Sequence, residues 1–263
     1  MTKLNPTSIY LILTAMFTAV TAACTSCTGN DRTWYEDDAQ LREDYLAAVE
    51  QAKEPASPEK MDPDLVSVIS PEASPLAEWL VQDGRTFVLV GSVMTAEESR
   101  YWAGNTETFL LDDRFPWVTL PYDLRGHLEA AGLTETDGGL EMRIIQMLGL
   151  PPDCNCDRIV LFWAEKDSLF RPAPDPEIYD SEVLTDFRED VDPRYRAWFE
   201  DYWKTAYESE PPYPWTRMGY TYDWHAGAST VMGPSEFVVR PGAMVIVRDI
   251  LPVRDWYGRQ ESE

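Results

Sequence analysis

Basic residues and imidazole are both scarce in this chain. Lys and Arg number 22 against 46 Asp and Glu, a formal net charge of −24, and only two histidines, His127 and His225, occur in 263 residues. So acidic a surface repels phosphate backbones and anionic lipid alike, which argues against nucleic-acid binding and against membrane attachment by charge. Cysteine is equally sparse: four residues in two close pairs, Cys24 with Cys27 and Cys154 with Cys156. Neither pair has a second Cys/His cluster nearby to complete a soft-ligand site, and no Asp-x-Asp-x-Asp-Gly calcium loop appears, so no metal is expected. Glycine-rich phosphate loops, Gly-x-Ser-x-Gly and His-Glu-x-x-His are missing too, so no nucleotide cofactor is expected. The apolar run from Ile9 to Val20 falls short of the roughly 20 residues that span a bilayer.

That short run still has a meaning. Between Met1 and Asn30 the only charge is Lys3, and the apolar stretch leads into Thr21-Ala22-Ala23-Cys24. A basic start, an apolar middle and a small-residue cleavage zone form an export signal, here residues 1–23. The stretch resembles the lipobox of bacterial lipoproteins. Ala22 and Ala23 match the two positions before the lipidated cysteine, while Thr21 stands where that family usually has Leu. The resemblance implies lipidation of Cys24, with Cys27 as the alternative. Thr25 after the cysteine implies sorting to the outer membrane of a two-membrane bacterium, so the membrane becomes a partner through the N-terminal lipid. Ordinary cleavage after Ala22 or Ala23, releasing the protein to the periplasm, is the other outcome.

Beyond the signal, hydrophobic content of 44% suffices for a core. Residues 24–53 read as a helical extension. Trp34, Leu41, Tyr45, Ala48, Val49 and Ala52 fall near helical spacing within Asp31–Ala52. Residues 54–75, rich in Pro, Ser and Glu, read as a linker with a short strand at Leu65–Ile69. Residues 76–263 form the main domain. Strands are expected at Thr86–Met94, Thr108–Leu111, Trp117–Leu120 and Arg158–Trp163. Helices are expected from an Asp123 cap to Ala131, at Leu140–Leu148, and from the Asp192 cap through Pro193 to about Glu208. A hairpin over Ser235–Arg248 turns at Pro241-Gly242. The fold class is α+β, a mixed or antiparallel sheet packed with about three helices and a C-terminal β-hairpin.

Three constellations carry candidate chemistry. Cys154-Asn155-Cys156 offers two thiols, or a local disulfide fit for exchange. Asp223 and His225 lie two apart and would share a face on a strand, where the pair could orient a general base. The densest feature is aromatic: Tyr213, Trp215, Arg217, Tyr220, Tyr222 and Trp224, in a segment broken by Pro and Gly, offer rigid rings for a sugar or a protein. The leading expectation is an exported, lipid-anchored acidic protein that binds a partner, a basic protein or a glycan, through that aromatic loop. The alternatives are a cell-envelope hydrolase acting on glycan or peptide through Asp223, His225 and a further carboxylate, and a passive envelope component.

Overall fold

The computed structural model describes residues 33–54, 56–104 and 107–259; the expected export signal, Cys24 and Cys27 lie outside them. The apolar run Phe87-Val88-Leu89-Val90 is buried on both sides. It belongs to β2 (Arg85–Met94), within a five-stranded antiparallel sheet ordered β1-β2-β5-β10-β3. The other members are β1 (Trp79–Gln82), β3 (Phe109–Leu110), β5 (Arg158–Glu165) and β10 (Met244–Pro252). Side chains alternate across this sheet. Val88, Val90, Val160, Phe162 and Val245 enter one core cluster. Leu89, Ile159 and Leu161 face the other way, against α2 (Pro121–Ala130), α3 (Leu140–Met147) and α5 (Val253–Gly258). Asp83 and Gly84, both at positive φ, close a two-residue hairpin between β1 and β2, the turn geometry that Asp-Gly favours.

A second antiparallel sheet, ordered β4-β9-β6, packs on the first. It comprises β4 (Trp117–Val118), β6 (Leu169–Phe170) and β9 (Phe237–Val239). The two sheets are joined where Thr119 and Gly91 exchange backbone hydrogen bonds of 3.0 and 2.9 Å. A two-stranded ribbon, β7 (Tyr220–Tyr222) with β8 (Met232–Ser235), completes the strands, and α1 (Asp38–Ala52) and α4 (Pro193–Ala206) the helices. The fold is α+β with antiparallel sheets, and five helices occur among the described residues. The Pro241-Gly242 turn forms as expected, Ala243 N–H donating to Arg240 O at 3.2 Å. Its two arms then serve different sheets, β9 between β4 and β6 and β10 between β5 and β3.

Several local expectations need correction. Asp123 caps no helix. Leu120 precedes Pro121 at the start of α2, and the Asp123 carboxylate instead accepts from Ser235 N–H at 2.8 Å. Leu65–Ile69 is not a strand, and residues 54–75 are no linker. Leu65 and Val68 are buried, Val68 completely, and Val68 N–H donates to Ile178 O at 2.7 Å. Arg171, also wholly buried, donates to Val66 O at 3.1 Å and Asp180 O at 2.8 Å. An irregular segment suits that cation, because its carbonyls are not consumed by a ladder.

The extension is integrated too. Of the predicted stripe, Leu41, Tyr45, Ala48, Val49 and Ala52 pack with Ile145, Cys156, Tyr222 and Trp224, while Trp34 lies ahead of α1 and is exposed. Arg217 closes the end of α1, donating to Ala52 O at 2.9 Å and Glu54 O at 2.5 Å. Among the described residues no helix is long and apolar enough to cross a membrane.

Candidate functional site: an aromatic cavity with unpartnered polar atoms

The two sheets, with the turns flanking them, enclose a cavity of about 760 Å³. Its walls are the Gly91–Met94 end of β2, strand β4, the Gly149–Cys156 turn, the 213–216 loop and Tyr202 of α4. The β4–β9 ladder pairs Trp117 with Val238 and Val118 with Phe237. The ladder ends there, Thr119 bridging to Gly91 of β2. Alternation then puts Trp117, Thr119, Glu236 and Val238 on one face and sends Val118 and Phe237 into the core behind. Trp117 packs with Tyr202 and Trp215 in a ring cluster, with centroid separations of 5.0 Å (Trp117–Tyr202), 5.9 Å (Trp117–Trp215) and 5.1 Å (Tyr202–Trp215).

Three cavity residues carry a buried polar atom that no protein group satisfies: Thr119 Oγ1, Trp215 Nε1 and Glu236 Oε2. Glu236 is the most demanding. Its backbone N–H donates to Gly219 O at 2.9 Å, so the backbone is pinned while the carboxyl has no cation to neutralise it. Part of the residue opens to the cavity, but Oε2 is shut off from solvent. Desolvation pushes this carboxyl well above the ordinary glutamate range. The phenol of Tyr202 is raised as well, first by burial and then by the neighbouring Glu236 charge. Elsewhere the wall is acidic, with Glu98 and Asp153. The cation in it, Arg114, is held by Asp112 at 3.0 Å and lies 3.9 Å over the Tyr101 ring. Cys154 and Cys156 are joined as a disulfide, Cα atoms 5.3 Å apart, and form part of the wall.

The aromatic segment read from sequence is not an exposed platform. Trp215, Arg217, Tyr220, Tyr222 and Trp224 are buried, and all but Trp215 find an internal hydrogen-bond partner. Trp224 Nε1–H donates to Leu150 O at 3.0 Å, Tyr220 Oη–H to Lys60 O at 2.8 Å and Tyr222 Oη–H to Gln51 Oε1 at 2.6 Å. Four of the six candidates, Tyr213, Trp215, Tyr220 and Tyr222, do line the cavity. Their contact is inward-facing, and Arg217 and Trp224 serve the packing of α1.

Asp223 and His225 do not form an acid–base pair. Arg143 of α3 donates two bonds to the Asp223 carboxylate, 2.8 and 2.5 Å long, and the pair is buried. Asp223 also accepts from the backbone N–H of His225 at 3.1 Å, not from its ring. The ring turns away: Nδ1 accepts from Gly227 N–H at 3.1 Å, and the imidazole packs edge-on against Trp34 at 5.0 Å. Burial, then the Arg143 charge, hold His225 below its ordinary pKa. Neither residue lines the cavity, so the hydrolase reading loses both residues it named. Among the described residues no group of three or more His, Cys, Asp or Glu is placed to hold a metal.

Trp117, Thr119, Tyr202 and Glu236 were not singled out by sequence reasoning. Their one legible signal is a lone carboxylate beginning the apolar run Phe237-Val238-Val239, which a half-exposed hairpin would simply turn to solvent. Comparison of the chain with family models, with curated proteins and with solved structures finds no match.

Proposed function

We propose that this chain is a ligand-binding protein of the bacterial envelope, exported by its N-terminal signal and held by lipid at Cys24, with the aromatic cavity as its site. The carrying observation is that three residues lining one cavity, Thr119, Trp215 and Glu236, each hold a buried polar atom without a protein partner. Leaving a buried polar group unpaired costs about 1–3 kcal/mol, so three at one place are an expense that a bound molecule offsets. A concave, mostly apolar site with a few convergent polar groups is the form small-molecule sites take. Binding is favoured over hydrolysis because Asp223 and His225 are each committed to structural bonds.

Titration with the neutral dye N-phenyl-1-naphthylamine tests the cavity. A saturable fluorescence rise that Thr119→Phe abolishes, with the melting temperature kept, supports the reading; equal binding by both proteins refutes it. Intact-mass analysis of protein extracted from envelopes tests the address. A chain starting at Cys24 with added acyl mass is expected, and one still carrying Met1 in the cytosol overturns it.

A further inference from the structure

We propose that the cavity takes an organic cation, a molecule whose ammonium group meets the Glu236 carboxyl while its apolar or aromatic body lies against Trp117, Tyr202 and Trp215. This rests on the reading of the cavity as a ligand site and names the chemistry of its occupant.

Four observations converge. The Glu236 carboxyl has no hydrogen bond or ion pair among the described residues, and its Oε2 is closed to solvent. Thr119, which lines the same cavity, brings a second unpartnered oxygen able to accept. An ammonium has donors to give and no acceptor, so it is the head group that matches these acceptors. The three rings pack 5.0 to 5.9 Å apart, too close to admit a cation between them. Their cavity-facing surfaces remain, and a cation beside such a face is attracted by the ring quadrupole. Finally the wall carries Glu98, Glu236 and Asp153, the last paired with Arg42 at 3.2 Å, against the paired Arg114, within a chain of net charge −24. A cleft lined by one sign of charge concentrates the opposite ion.

A bare metal ion fits less well, since hard cations want several oxygen ligands from carboxylates and carbonyls, and no three-ligand group is present among the described residues. Trp215 Nε1–H is a donor and cannot serve the ammonium. It calls for an oxygen acceptor on the ligand body.

Calorimetric titration of the folded chain with phenethylammonium, 2-phenylethanol and 3-phenylpropanoate at low salt decides the matter. Phenethylammonium is expected to bind at least about tenfold more tightly than the alcohol, the scale of one charge-assisted hydrogen bond, and the propanoate not at all. Glu236→Gln should bring the ammonium down to the affinity of the alcohol and leave the alcohol unchanged. Should that variant fail to fold, Thr119→Val is expected to weaken the ammonium selectively. Equal or tighter binding of the alcohol or the propanoate removes the cation but keeps the cavity. Silence from all three overturns both.

Discussion

Replacing Arg143 by Met should damage this protein more than any change on its surface. Arg143 and Asp223 are both more than nine-tenths buried, and the guanidinium supplies two of the three bonds to the carboxylate, the third coming from His225 N–H. Arg143→Met keeps most of the packing volume and strands a carboxylate with one donor. Removing one partner of a buried ion pair costs about 3–5 kcal/mol. At roughly 2–4 °C per kcal/mol for a chain of this size, the melting temperature should fall by about 6–20 °C. Asp223→Asn on the Arg143→Met background keeps an oxygen for His225 N–H and removes the stranded charge, so the double variant should recover most of the loss. Circular dichroism melts and urea titrations of the four proteins give the coupling directly. A second readout separates charge from packing. The Arg143 charge helps hold His225 below its ordinary pKa, so the imidazole should titrate at higher pH in Arg143→Met. A loss under about 1 kcal/mol would refute the reasoning, since exposed pairs contribute no more than that.

Other expectations are simpler. Burial raises the Glu236 pKa, so the folded state holds that proton more tightly than the unfolded chain. The carboxyl thus costs nothing at or below the ordinary glutamate pKa, near about pH 4, and its destabilisation grows as pH rises through the raised value. Glu236→Gln should leave the melting temperature unchanged near about pH 4 and raise it near about pH 8; a gain confined to acid would contradict this. Arg217→Met removes the bonds to Ala52 O and Glu54 O, so amides of α1 should exchange about ten- to a hundredfold faster. Unchanged exchange would show that α1 is held by its apolar stripe alone. Gly149 has φ +65°, and an added Cβ would lie 3.3 Å from Tyr222 O. Gly149→Ala should cost about 1–2 kcal/mol in urea unfolding, and a neutral result would mean the turn relaxes.

What sequence could reveal here depended on how local the cause was. β2 and β5 are buried on both faces, so their apolar runs were plain. The Asp192-Pro193 start of α4 and the Gly149 stop after α3 are local capping chemistry and were equally plain. The Asp83-Gly84 hairpin carries its own signature and was overlooked, which pushed the start of the sheet too late. α5, of six residues, is too short for a periodic signal. Partners were the harder part. The turn at Pro241-Gly242 is readable, but not that β9 and β10 would join different sheets, a choice made by partner strands roughly 70 to 135 positions away. Composition misled at 54–75, where proline and serine suggested solvent while Leu65 and Val68 drop into the core. Among site residues, a dense aromatic segment was correctly seen as unusual, yet most of its rings are consumed by packing. Thr119 and Glu236 come to line one cavity only through the tertiary fold.

Arg171 reaches the carbonyls of both Val66 and Asp180, so stretches far apart along the chain end on one guanidinium. Ahead of Val66 the chain has holds of its own, and a protease cutting after Lys53 or Lys60 would nick this protein without dividing it. The severed N-terminal piece would retain the Tyr45 bond to Pro212 O and its apolar stripe on the body. Both fragments should elute together in gel filtration and separate only in denaturant.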